Sequence, residues 1–300
     1  MLEKKSLINF THIQSHLCGF TFCHLLPILC LLLLVFPLLV GCDFSKSATS
    51  QPRYVVTSPE IAEIVALLGA GDRIVGVSSE CDYPDYLQEL PEVGTFGQID
   101  FEKVLALDPS LVFTSGLEQN KLAAELKKIG LPTVSIYSQS IAEMYESILE
   151  IGKIVEKSQR ANAVVDSLQA AVQKIETDKL TSPKNIYVEI YGDPIMTVSD
   201  SSYVGNLIEL IGANNIFDTL PRDYSRVSAE KVVAAHPEII ILTYPGVNAS
   251  DIADRRGWQA LPAVQNKRIY NIDDIDPDLI LRSTPRVILG LKKLLEICDE

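Results

Sequence analysis

Short apolar runs return along the chain with helical stretches between them. Tyr54-Val55-Val56-Thr57 reads as a strand, Pro59 opens a helix over residues 60–68 at its first turn, and Gly69 ends it. Ile74-Val75-Gly76-Val77 reads as the next strand and Leu90-Pro91-Glu92-Val93-Gly94 as a loop. Asp100 then caps a helix running to Leu107, ahead of the apolar run Leu111-Val112-Phe113-Thr114. Strands alternating with helices predict a parallel sheet, because parallel neighbours need a crossover between them. The spacing changes from Ser140. Ile141, Met144, Ile148, Ile151 and Val155, then Ala161, Val164, Val165, Leu168, Ala171, Val172 and Ile175, trace an amphipathic helix with an interruption near Lys157-Ser158. After Pro183 the strand 186–190 restarts the alternation, which ends in a helix over 285–297.

The pattern also repeats itself. Glu102-Lys103-Val104-Leu105-Ala106-Leu107-Asp108-Pro109 returns 128 positions later as Glu230-Lys231-Val232-Val233-Ala234-Ala235-His236-Pro237, and each copy leads into an apolar run, the second being 239–243. Upstream, Leu67-Leu68-Gly69-Ala70-Gly71 matches Leu210-Ile211-Gly212-Ala213. One copy alone would be an ordinary helix ending before a strand, but two matched elements in the same order make two related halves. The expected fold is therefore α/β: two Rossmann-like lobes, 53–139 and 181–300, joined by a long rigid helix within 140–180, with a cleft between the lobes. A rigid connection predicts closure of only a few degrees.

Residues 1–41 are of another kind. Lys4 and Lys5 precede an uncharged run over 25–40 that is interrupted by Pro27 and Pro37 and is shorter than the roughly 20 residues a spanning helix needs. It reads as a secretory signal. Its ending, Leu39-Val40-Gly41-Cys42, resembles the lipobox of bacterial lipoproteins, which implies acylation of Cys42 and makes 42–52 a polar tether. The alternative is a membrane anchor with an incidental cysteine. Without residues 1–41 the chain keeps 24 basic and 38 acidic residues, a formal charge of −14. An acidic surface without basic clusters argues against nucleic acid and anionic lipid as partners. Cys81 and Cys298 are the remaining cysteines, His236 is the remaining histidine, and no Cys/His pair has zinc-site spacing.

A lipobox, two α/β lobes and a connecting helix resemble the substrate-binding lipoproteins of ABC importers. More narrowly, they resemble the helical-backbone class that carries cobalamin, haem and ferric siderophores. The segments that carry the resemblance are residues 69–77 (Gly-Ala-Gly-Asp-Arg-Ile-Val-Gly-Val), Cys81-Asp82-Tyr83-Pro84, Glu92-Val93-Gly94, residues 257–264 (Gly-Trp-Gln-Ala-Leu-Pro-Ala-Val) and Arg282-Ser283-Thr284-Pro285-Arg286. Asp82-Tyr83-Pro84 is most like the cobalamin binders. The resemblance implies a monomer that holds cobalamin or a related corrinoid as cargo, with no cofactor, metal or catalysis. The cargo passes to an ABC permease dimer with its ATPase subunits, and the protein is held by its lipid on the periplasmic side of the inner membrane or the outer face of the cytoplasmic membrane. It further implies cleft positions at Glu80, Phe96, Ser115, Met196, Tyr224, Arg226 and Arg282, with the Cys81-Asp82-Tyr83 loop beside them. Glu80 and Ser115 stand where cobalamin binders carry aromatics. Glu102 and Glu230 fall at the positions that dock on permease arginines, pairs that are charge-assisted and geometrically specific. As plain sequence, each glutamate is also what a helix first turn favours.

Two rival readings remain. Haem needs an axial His or Tyr; His236 ends a helix as Asp108 does, which leaves tyrosines such as Tyr224. Siderophores would use Arg222, Arg226 and Arg282. A secreted hydrolytic enzyme is the remote alternative, with no nucleophile elbow, P-loop or dinucleotide fingerprint in the chain to support it.

Overall fold

The computed structural model describes residues 51–116 and 119–299. The expected signal 1–41, the acylated Cys42 and nearly all of the tether lie outside the described residues. The first sheet comprises β1 (Tyr54–Val56), β2 (Ile74–Val77), β5 (Leu111–Ser115) and β6 (Thr133–Ile136), with a small hairpin of β3 (Gly94–Thr95) and β4 (Gln98–Ile99) beside it. Its order is β2-β1-β5-β6, all parallel. The second sheet holds β7 (Asn185–Gly192), β8 (Ile195–Val198), β9 (Asn214–Asn215), β10 (Tyr224–Arg226), β11 (Ile239–Leu242) and β12 (Ile269–Tyr270). Within it β9-β7-β11-β12 run parallel in the order of the first sheet, and β8 and β10 are an antiparallel addition.

The sequence repeat is thus a repeat of topology, and it extends to single dihedral angles. Gly69 and Gly212 both turn left-handed after their helices, at φ 78° and 80°, where a Cβ would be penalised. Asp108 and His236, each before a proline, take φ 44° and 49°. A following proline disfavours the right-handed helical region, so both helices, Phe101–Ala106 and Ala229–Ala235, must stop there.

The apolar runs are buried on both faces, as crossover-covered parallel strands require. Tyr54 and Val56 face one core and Val55 the other; Ile239 and Ile241 alternate with Ile240 and Leu242 in the same way. Each sheet turns one face to an outer core of its own, centred on Val55, Val104 and Leu126 in the first lobe and on Tyr187, Ile240 and Trp258 in the second. Their other faces share one continuous core with the connecting helices and the C-terminal helix Val287–Asp299.

The connection is not one long helix. Helix Ile141–Ile154 ends at Val155, Glu156 takes φ 59°, and helix Ser158–Thr177 starts anew. The start of the first packs near the end of the second, where Tyr145 meets Gln169, Gln173 and Glu176 around a shallow depression. At the other end Gly152 lies so close to Ala161 that a Cβ there would clash with it. The helices are therefore antiparallel. The break sits at the interruption expected near Lys157-Ser158, but the chain doubles back there, because Gly152 and Ala161 permit the close approach.

Candidate ligand-binding cleft

In parallel sheets the carboxyl ends of the strands form the usual binding edge. Here β1 leads into Pro59 and Glu60, β2 into Glu80, β5 ends at Ser115, and β6 leads into Tyr137 and Ser138. Together with Phe96 and Gly97 from the hairpin, these line a cavity of about 560 Å³. The facing wall is Tyr203, Tyr224, Asp278, Leu281, Arg282 and Ser283.

A neutral amide holds the first-lobe floor. Buried Gln119 accepts from Thr57 Oγ1 (2.7 Å) and Ser115 N (2.8 Å), and its Nε2 donates to Thr57 O (3.0 Å) and Phe96 O (2.8 Å). The Phe96 amide in turn donates to Glu80 Oε2 at 2.7 Å. The hairpin tip carrying Phe96 is therefore fixed from two sides.

Arg282 is 11% exposed, and both of its Nη atoms are engaged. Nη1 donates to Asp82 Oδ1 (2.7 Å) and Glu63 Oε1 (3.1 Å), while Nη2 meets Asp278 Oδ2 (2.9 Å) and Glu80 O (3.2 Å). Arg286 clamps Glu63 with two bonds, Nε at 2.9 Å and Nη2 at 2.7 Å. Burial works against the charge on Arg282, but its bond to Asp82 and the fields of Asp278 and Asp82 hold its pKa above the ordinary value. Burial pushes the Glu60 carboxyl up, with the Ser58 hydroxyl and Arg282 only partly opposing it. It pushes Asp278 up as well, against Arg282.

Polar bonds also cross the cleft. Tyr137 Oη donates to Asp223 Oδ2 at 2.6 Å, and Gln139 Nε2 reaches both Asp223 oxygens and Ser201 O. Burial first, then the bond to Asp223, raises the Tyr137 phenol. Tyr203 is buried and donates to Met144 Sδ at 3.4 Å.

Of the sequence-derived positions, Glu80, Phe96, Ser115, Tyr224 and Arg282 come together at this cavity. Cys81, Asp82, Tyr83, Met196 and Arg226 do not line it. Cys81 is 2% exposed and belongs to the core, its Sγ 3.4 Å from Ser78 Oγ. Burial pushes its thiol up to about 12. Asp82 is spent on Arg282. Tyr83 points away from the cleft, 44% exposed, with the Arg286 guanidinium 4.1 Å over its ring. Met196 and Arg226 pair with each other across β8 and β10, one half-buried and the other exposed, outside the wall. Both cysteines of the described chain are free thiols, and His236 is a helix cap away from the cavity.

Glu102 and Glu230 are both exposed in the first turns of their helices. Crossover helices run opposite to parallel strands, so these first turns lie at the strand edge that carries the cleft. Asp100 caps the first with bonds to Glu102 N and Lys103 N. The Glu230 carboxyl is held below the usual range by its own helix-start amide and by Ser228.

Sequence reasoning missed Glu60, Tyr137, Tyr203 and Asp278. Glu60 and Tyr137 had a signal in the chain: Tyr137 follows directly on the end of β6, and Glu60 stands in the first turn of the helix that leaves β1. Tyr203 and Asp278 had none, because they arrive from helices far along the chain.

Two sheets of like topology around one cleft are the architecture of a two-lobed binding protein. The sequence model for the periplasmic binding protein family matches residues 55–281, and the chain belongs to that family. It is 30% identical over 274 residues to an uncharacterized ABC transporter substrate-binding lipoprotein, YvrC, of Bacillus subtilis, covering 87% of this chain and 85% of that one. It is 26% identical over 267 residues to a vitamin B12-binding protein of Vibrio cholerae, covering 85% of this chain and 95% of the relative. Among solved structures, the haem-binding protein RhuT of Roseiflexus superposes with a TM-score of 0.74 at 22% identity, over 82% of this chain and 97% of that one. That likeness concerns the fold.

Proposed function

We propose that this chain is the extracytoplasmic substrate-binding component of an ABC importer and that its cargo is cobalamin or a related corrinoid. The observation that carries the reading is the cavity itself: a space between two lobes with rings of Phe96, Tyr137 and Tyr224 on its walls and polar groups at its rim. Flat apolar faces pack on such rings, and polar substituents reach the carboxylates and hydroxyls between them. The relatives named for vitamin B12 support the corrinoid. The likeness to YvrC and the Leu39-Val40-Gly41-Cys42 ending support a lipid anchor at Cys42.

Delivery uses Glu102 and Glu230, one on each lobe, against one arginine on each subunit of a two-fold permease. The protein acts as a monomer. Titration calorimetry with cobalamin, cobinamide, haemin and a ferric siderophore tests the cargo. A corrinoid should bind with one-to-one stoichiometry, whereas binding of haemin or siderophore alone would replace the corrinoid while leaving the importer role. Haem is the second reading, favoured by the phenols of Tyr137 and Tyr224 at the cavity wall. A shifted Soret band on adding haemin would mark it.

A further inference from the structure

The charge of the cavity wall goes further than its shape. Three carboxylates line it, those of Glu60, Glu80 and Asp278, against one guanidinium, that of Arg282. Arg282 offers little to a ligand, since both of its Nη atoms already serve Asp82, Glu63, Asp278 and the Glu80 carbonyl. Glu80 keeps one oxygen free of the Phe96 amide. Ser115 stands on the same wall, 3% exposed, with its amide held by Gln119.

We propose that the cavity selects a flat ligand that presents N–H donors or positive charge to Glu60, Glu80 and Asp278, and rejects the same ring carrying carboxylates. The inference rests on the ligand-binding reading above and names its chemical class. An incoming carboxylate would be desolvated beside like charges, and among the described lining residues the one cation, Arg282, is already committed. An amide or ammonium instead gives each wall carboxylate a donor, and charge-assisted bonds of that kind are the stronger ones. A donor there offsets the desolvation that raises the Glu60 and Asp278 carboxyls.

The test uses rings matched in shape and differing in charge: cobinamide against cobyrinic acid, and iron protoporphyrin diamide against the diacid, each titrated at neutral pH. The amide member of a pair should bind at least tenfold more tightly. In the Glu60→Gln/Asp278→Asn double variant the preference should shrink to threefold or less, with circular dichroism verifying the fold. Should that variant unfold, the ratios in the parent protein decide alone. Acid and amide corrinoids bound within threefold of each other would overturn the charge selection and leave the corrinoid reading intact. Preference for the porphyrin diamide with no corrinoid bound would do the reverse. Uptake of none of the four would overturn both.

Discussion

The two lobes share a topology yet keep their buried polar centres by opposite means. In the first lobe the neutral side chain of Gln119 satisfies four partners at distances of 2.7–3.0 Å. In the second, fully buried Glu189 accepts from both Arg255 nitrogens at 2.6 and 2.7 Å, from Tyr187 at 2.9 Å and from Tyr244 at 2.5 Å. Arg255 also stacks over Trp258 at 4.8 Å. The ion pair lies at the end of β7 that carries the added β8. The amide lies behind the cavity wall, where it holds Ser115 and Phe96 in place without adding a charge beside the ligand. Duplication has supplied the frame, and the polar centre of each copy suits what surrounds it.

The comparison breaks most easily at the ion pair. Arg255→Ala leaves Glu189 charged and unpaired in the interior, so urea unfolding should show a loss of about 3–5 kcal/mol. A loss under about 1 kcal/mol would mean that Glu189 takes up a proton or water and that the pair is not a structural centre. Gln119→Leu removes no charge but strands the Ser115 amide and the Phe96 carbonyl. The expected loss is about 1–3 kcal/mol, with a further loss of ligand affinity because the Phe96 tip is released. Equal losses at the two sites would erase the contrast.

A smaller effect separates the cavity from both centres. The Glu60 carboxyl is raised in the folded state, so the unfolded chain ionises first. The stability tied to its protonated form is fully present below the unfolded value and is lost as pH rises through the folded one. Glu60→Gln should therefore melt higher than the parent at neutral pH, and the advantage should vanish below about pH 4. An unchanged difference across that range would assign the effect to packing.

The smallest expected change is at the lobe tops. Glu102→Ala and Glu230→Ala, singly or together, should alter stability by no more than about 0.5 kcal/mol and leave ligand affinity as it was. Uptake through the permease should fall, further in the double variant, and further still with arginine at both positions. Normal uptake by the double alanine variant would reduce the two glutamates to helix-start residues. Lobe closure belongs at this end of the scale too. Because one core runs through both sheets and the paired helices, ligand should change the scattering profile by only a few degrees of closure, and a large compaction would contradict it.

The local signals in the chain were sufficient for the frame. Apolar runs and period-3.6 patterning, Pro59 and Asp100 at helix starts, Gly69 and Gly212 at helix ends, and the doubled E-K-V segment each act within a few residues, and each holds in the structure. The interruption near Lys157 was also legible, but its direction was not. Whether a chain bends or doubles back depends on what packs against Gly152, and that partner is Ala161 in the next helix.

The cleft was legible in part, at Glu80, Phe96, Ser115, Tyr224 and Arg282. Cys81 and Asp82 sit in a segment that resembles a binding signature, yet in the turn that follows β2 one is buried in the core and the other is bonded to Arg282. Met196 and Tyr224 lie on strands joined in one antiparallel ladder, β8 and β10, and only Tyr224 reaches the wall. Strand periodicity is local and sequence encodes it. A binding site is a set of residues from distant segments converging on one space, and its charge balance depends on which of them already satisfy each other, as Arg282 does with four partners. Only the packed structure decides that.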